Sequence, residues 1–218
     1  MSKKAVAFFD FDGTISHKDS FLEFLIYAGG YFKFLTCLCY NSIYILLKLA
    51  GAYPNDLLKE RFFSFFFKGK EESEIKGLGK KFASKELPNQ IYDAAKFLLD
   101  WHLKEDHEVV ILTASSSIWL GPWAKANGFN FIGTTFESIN GKLTGKIKGK
   151  NCYGAEKLNR IKHLLEEYPF NLRYAYGDSK SDQYYLDIAK HSFLFPLTEK
   201  NVRKKIPYFP KKITITKT

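Results

Sequence analysis

The chain is poor in cysteine, methionine and proline, and it lacks a long uninterrupted apolar run. Of 218 residues, three are Cys, one is Met and seven are Pro. Cys37, Cys39 and Cys152 are too few for a disulfide-dense scaffold. Cys37 and Cys39 form a Cys-x-Cys pair in an apolar run with no matching cluster elsewhere, so all three read as reduced core residues, not a metal site. Between Lys33 and Lys48 lie 14 uncharged residues, Asn41 and Ser42 among them. That falls short of the roughly 20 apolar residues of a spanning helix. An interfacial or re-entrant helix and the core of a buried lid both remain open. The first apolar run, Ala5 to Phe9, stops at Asp10 with no small-residue cleavage site. It makes a poor secretory signal, and the expected location is the cytoplasm, with possible attachment at the inner face of the membrane.

What is present defines a folded chain. Hydrophobic residues make up 45% and charged residues 26%, which excludes disorder. The length suits one α/β core with a smaller lobe. The net charge of +10 points to an anionic partner of some kind. It resides in two places: residues 142–150, with Lys142, Lys146, Lys148 and Lys150, and residues 197–218. Aromatics concentrate instead between Phe21 and Lys85. The interleaving of bases and rings that single-stranded nucleic acid requires is absent, so no nucleic-acid partner is expected.

Short apolar runs at Ala5–Phe9, Val109–Leu112, Phe129–Phe136, Arg173–Tyr176 and Ser192–Phe195 read as strands. Helical patterns at about 90–103 and 155–167 alternate with them, which predicts a parallel sheet covered on both faces. Asn140-Gly141 predicts a hairpin turn. The stretch from Phe21 to about Lys85 holds no credible strand. It reads as helical, broken at Gly29-Gly30, at 51–55 and at Gly69. We expect a core of residues 1–18 and 88–218 with a helical cap, 19–87, inserted after the first strand. The basic end of the chain, from Val202 onward, is expected to run along the surface.

Polar clusters follow three of the strands: Asp10-Phe11-Asp12-Gly13-Thr14, Thr113-Ala114-Ser115, and Gly177-Asp178-Ser179-Lys180-Ser181-Asp182. In an open parallel sheet the carboxyl ends of the strands meet at the ligand crevice, so these clusters converge. Four carboxylates in one place repel unless a cation neutralises them. Oxygen-only ligands favour a hard ion, for which Mg²⁺ is the natural candidate. An Asp can also act as a nucleophile and form an aspartyl-phosphate.

Asp10-x-Asp12-x-Thr14, a strand-ending Thr113, Lys157 and Gly177-Asp178-x-x-x-Asp182 together resemble the four ordered motifs of the haloacid dehalogenase superfamily. The helical insertion is similar to that of its phosphoserine phosphatase-like branch. The run from Phe8 to Thr14, Asp19-Ser20-Phe21 and Gly154-Ala155-Glu156-Lys157 look most like the phosphatidylglycerophosphatase C type within it. The resemblance implies a Rossmannoid three-layer sandwich and a Mg²⁺-dependent phosphomonoester hydrolase. In that scheme Asp10 is the nucleophile and Asp12 the acid and base. Asp10, Asp12 (through its carbonyl) and Asp178 are the metal ligands, and Asp182 supports them. Thr113 and Lys157 hold the phosphoryl group, with a polar strand end and a solvated helix lysine as their alternatives, and Thr14 braces the turn. Asp19 reads a substrate amine or caps the next helix, Arg61 reads a carboxylate or sits on the surface, and Ser115 touches substrate.

Two departures weaken a match to phosphoserine itself. Ala114-Ser115 stands where that branch has Gly-Gly, and Ser179-Lys180-Ser181 stands where it has Gly-x-Asn. The expected substrate is a lipid-linked phosphate, with a small soluble phosphate such as phosphoserine as the alternative. Phosphoryl transfer to another acceptor remains open, and an anionic membrane is a candidate contact.

Overall fold

The computed structural model describes residues 3–209. Five parallel strands form the central sheet: β1 (Val6–Phe9), β2 (Glu108–Ser116), β3 (Asn130–Thr134), β6 (Arg173–Gly177) and β7 (His191–Leu194). Their spatial order is β3-β2-β1-β6-β7. β1 is central and buried on both faces, and it pairs Phe9 with Ile111 on one side and with Tyr176 on the other. An all-apolar strand belongs in that position, because a parallel sheet is covered on both sides. The α/β class and the parallel sheet inferred from the sequence are present.

Helices α1 (Ser20–Tyr40), α2 (Ser42–Leu49), α3 (Asn55–Phe67) and α4 (Glu72–Lys85) lie between β1 and β2 in the chain. The expected interruptions are there. α1 kinks at Gly30, whose φ is 76°, and the chain leaves helix at 50–54 and 68–71. An interruption at Asn41 was not foreseen. It divides the uncharged stretch 34–47 between two helices, so that stretch is not one continuous segment. α1 itself is long and apolar enough by composition to span a bilayer, but Ser20, Phe21, Phe24 and Leu25 in its first half are buried in the protein. One antiparallel bridge, Ser16 opposite Ile91, ties together the segments on either side of these helices: His17 N–H donates to Gln90 C=O, and Tyr92 N–H to Ile15 C=O, each at 3.0 Å.

The run at Phe129–Phe136 is not one strand. It breaks at Thr135, and Phe136–Ile139 becomes β4 of an antiparallel hairpin with β5 (Lys142–Ile147). Asn140 and Gly141 turn the hairpin with φ of 50° and 79°, the pair of positive angles a tight two-residue turn requires. The hairpin docks on the inserted helices. Phe136 stacks on Phe63 of α3 at 3.4 Å between ring centroids. Gly69 N–H donates to Leu143 C=O at 2.8 Å, and Ile147 N–H to Glu60 Oε1 at 2.8 Å.

The remaining helices are α5 (Asp93–Lys104), α6 (Leu120–Ala126), α7 (Ala155–Glu167), α8 (Gln183–Leu186) and α9 (Glu199–Lys205). Two further expectations need correction. Cys39 is exposed while Cys37 and Cys152 are buried, since positions two apart on a helix face opposite sides. Val202, Ile206 and Phe209 are buried, so residues 202–209 pack one face into the core while Lys204 and Lys205 stay exposed. Residues 210–218 of that expectation, with the lysines at 211, 212 and 217, lie outside the described residues.

Tyr208 anchors that packing. Its hydroxyl bonds that of Tyr176, whose hydroxyl also meets His102 Nε2 at 2.9 Å, while His102 Nδ1 meets His107 Nδ1 at 2.8 Å. Burial first, then the neighbouring His107 and His191, holds His102 well below its ordinary value of 6.5. A histidine kept neutral in the fold is protonated only in the unfolded chain. Stability therefore falls with pH once pH drops below about 6.5, by up to about 1.4 kcal/mol per unit for this one group. Urea denaturation at pH 7.5 and 5.5 measures the slope, and His102→Gln is expected to flatten it.

Candidate active site

The three polar clusters meet at the carboxyl ends of β1, β2 and β6. Gly13 lets the turn after β1 press against Asp178. Its φ is 85°, and a Cβ there would lie 2.4 Å from Asp178 Oδ2, so only glycine fits. Thr14 Oγ1 donates to Asp178 Oδ1 at 2.9 Å and so joins the first cluster to the third.

Lys157, in the first turn of α7, is buried between two carboxylates. Its Nζ donates to Asp10 Oδ1 and to Asp182 Oδ1, each at 2.7 Å. Burial alone would lower its affinity for a proton, but the two carboxylates together raise it, so the ammonium stays charged. Asp182 is fully engaged. Its other oxygen accepts from Ser179 Oγ at 2.9 Å and from the Ser179 and Asp178 N–H groups at 3.1 and 3.3 Å. Asp10 remains short of counter-charge: burial outweighs Lys157 and pushes its carboxyl up to about 7.

Asp12 is held from the opposite side. Oδ1 accepts from Ser20 N–H at 2.7 Å, and Oδ2 accepts from Ser115 Oγ. Behind these, Ser20 Oγ bonds Ser115 Oγ at 3.0 Å and accepts from Trp119 Nε1 at 3.1 Å. Burial and then the Asp19 charge push the Asp12 carboxyl up to about 6, against the pull of the Ser115 and Ser20 hydrogen bonds. An acid with that affinity can give up and retake a proton near neutral pH. Thr113 is buried, and its Oγ1 accepts from Ser115 N–H at 3.0 Å.

These groups line a cavity of about 290 Å³ between the sheet and the inserted helices. Asp10, Asp12, Thr113, Lys157 and Asp178 form its floor, with Asp19 and Ser115 at its side. Asp19 caps α1, accepting from Phe21 and Leu22 N–H at 3.0 Å. Ser115 is committed to Asp12. Arg61 is not in this cavity. Its guanidinium lies 3.5 Å from the Tyr44 ring centroid and donates from Nε to Asn41 Oδ1 at 2.9 Å. Lys59, two residues earlier on α3, faces the cavity instead, and its Nζ donates to Ala114 C=O at 2.9 Å. Burial lowers its affinity for a proton, against the attraction of Asp12 and Asp19. Lys59 and Trp119 were not singled out from the sequence, and Ser20 entered only within the Asp19-Ser20-Phe21 string, with no role of its own. For Lys59 the helical period running from the buried Phe62 was the available signal; Trp119 offered none, because its contact is long-range.

Oxygens of Asp10, Asp178 and Asp182 lie within 4.8 Å of one another, and Lys157 Nζ bonds those of Asp10 and Asp182. The all-oxygen donor set suits a hard divalent ion.

An α/β sheet with paired aspartates after its central strand and further carboxylates after the neighbouring strand defines a hydrolase class, and the chain's similarities agree. The model of the haloacid dehalogenase-like hydrolases matches residues 7–187; the chain belongs to that family. It is 32% identical over 187 residues to Protein CicA of Caulobacter vibrioides, covering 83% of this chain and 81% of that one. It is 28% identical to Phosphoserine phosphatase SerB1 of Mycobacterium tuberculosis over 82% of this chain and 60% of that one. A Bordetella pertussis protein of unknown function has the same fold with a TM-score of 0.73 at 21% identity, over 85% of this chain and 87% of that one. A phosphoserine phosphatase solved as a phospho-aspartyl intermediate analogue gives a TM-score of 0.60 at 16% identity, over 86% of this chain and 84% of that one.

Proposed function

We propose that this phosphatase hydrolyses phosphomonoesters through an aspartyl-phosphate on Asp10. The observation that carries the proposal is the Asp10–Lys157–Asp182 bridge on the cavity floor, with Asp12 anchored opposite. Asp10 attacks phosphorus, and the ester oxygen leaves with the proton of Asp12. Asp12 then takes a proton from the water that attacks the phosphoenzyme, releasing phosphate and restoring Asp10. Ser20 and Ser115 fix Asp12 in position for both transfers. Lys157 and the Thr113 hydroxyl face the phosphoryl oxygens, where preorganised donors act most strongly. Asp10, Asp178 and the Asp12 carbonyl would hold Mg²⁺. When bound, the ion neutralises negative charge on the transferring group.

For the substrate, we favour a lipid-linked phosphate such as phosphatidylglycerophosphate over phosphoserine. The inserted helices line the cavity with Phe21, Leu22, Leu58 and Phe62 beside Lys48, Asn55 and Lys59, an apolar surface with basic groups among it. Of the two expected readers of an amino acid, Asp19 lines the cavity while its Oδ1 caps α1, and Arg61 lies elsewhere, so the carboxylate reader is missing from the cavity. Phosphate release tests both layers. With Mg²⁺ the enzyme is expected to turn over mixed micelles of the lipid phosphate at least about tenfold faster than phosphoserine, and EDTA to abolish both activities until Mg²⁺ is returned. Equal turnover refutes the lipid assignment, and full activity in EDTA refutes the metal site.

A further inference from the structure

The inserted helices turn apolar side chains outward. In α1 beyond its kink, Phe32, Leu35, Thr36 and Cys39 form an exposed stripe at helical spacing, and in α2 Ile43, Leu46 and Leu47, with Ala50 just past its end, form another. Phe32 is 86% exposed and Leu46 61%. Helical spacing normally directs such residues into a core; here it directs them to water on two consecutive helices, a patch that calls for a partner.

The charge around the patch selects the partner. From Phe24 to Asn55 the chain has no acidic residue, and its only charges are Lys33 and Lys48. Beside the patch, between α2, α3 and the β5 edge, lies a groove of about 570 Å³ that contains Tyr40, Tyr53, Arg61, Lys68 and Lys146. Its one acid, Glu60, is engaged by Ile147 N–H at 2.8 Å. Asn41, itself buried, accepts from Arg61 Nε and stacks the guanidinium on Tyr44, which leaves the far edge of that group toward the groove. A second copy of the chain meeting this face symmetrically would bring like charges together. An anionic bilayer surface satisfies both parts at once. Apolar and aromatic side chains enter the acyl boundary, and basic groups meet lipid phosphates.

We propose that the α1–α2 face, with the Arg61–Lys68–Lys146 groove at its edge, docks this enzyme on anionic membranes. The proposal deepens the lipid-phosphate reading above. Lys48 belongs both to α2 and to the lining of the catalytic cavity, so the docking face borders that cavity.

Vesicle flotation tests it, with para-nitrophenyl phosphate hydrolysis as a separate readout of the catalytic site. The full chain is expected to float with phosphatidylglycerol/phosphatidylcholine vesicles and to bind pure phosphatidylcholine at least about tenfold less. Phe32→Ser/Leu46→Ser is expected to lose vesicle binding while retaining hydrolysis of the soluble ester. Arg61→Gln/Lys146→Gln is expected to lose about fivefold per charge, each basic group at such a surface being worth about 1 kcal/mol. A chain that stays unbound to both vesicles overturns the proposal, as does apolar-face substitution without effect on flotation. So does sedimentation showing a dimer that Phe32→Ser/Leu46→Ser dissociates. Loss of para-nitrophenyl phosphate hydrolysis by the unmodified chain would refute the phosphatase reading instead, whatever the flotation result.

Discussion

Asp10→Asn is expected to reduce turnover of any phosphomonoester by at least about 10³-fold without loss of fold. The amide preserves the size of the side chain and can still accept from Lys157 Nζ, which now bonds Asp10 Oδ1 at 2.7 Å. What it lacks is an anionic oxygen able to attack phosphorus. The substitution also removes one of two buried carboxylates that share a single ammonium, so thermal stability is expected to hold or rise. Steady-state phosphate release and a melting curve on the same preparation separate the two effects. A variant that folds and keeps more than a tenth of the activity would rule out a covalent role for Asp10.

Lys157→Met has the opposite profile. It is expected to lower activity by about 10²–10³-fold and to lower stability as well. Lys157 is nearly inaccessible, and Asp182 wholly so, with 2.7 Å contacts to both carboxylates. Methionine fills the space but leaves Asp10 and Asp182 facing each other without a cation. Breaking a buried pair by removing one partner costs about 3–5 kcal/mol. Urea denaturation measures the loss, and a change under about 1 kcal/mol would show that Lys157 is not the charge holding these acids together. The two substitutions thus divide one bridge into its chemical and its structural halves.

The aspartates of the floor were legible because they follow β1 and β6, whereas Thr113 lies within β2, which runs on past the expected Leu112, and Lys157 lies in α7. A run such as Ala5–Phe9 announces burial, and the polar residues after it have nowhere to be except the end of the sheet. The helical character of the insertion and its glycine interruptions were legible for a similar reason, since both are local. What escaped the sequence was long-range. The pairing of Ser20 with Ser115, 95 positions apart, and the Trp119 donor behind it leave no trace in spacing. Nor does the docking of the β4–β5 hairpin on α3, which depends on a ring of Phe136 meeting one of Phe63. Arg61 and Lys59 show how small the error can be. Two basic residues lie two positions apart on one helix, and the helical twist alone sends one into the catalytic cavity and the other to the groove beside Tyr53 and Lys146.

The central claim is that the converged carboxylates carry a phosphoryl group on Asp10. Rapid acid quench during turnover, followed by peptide mass spectrometry, tests it most directly. With para-nitrophenyl phosphate, whose leaving group needs no proton from Asp12, the account predicts a peptide carrying one added phosphoryl group on Asp10, enriched when Asp12 is replaced by Asn and absent from Asp10→Asn. Phosphate release at full rate with no phosphorylated Asp10 peptide in either the parent chain or Asp12→Asn would contradict it.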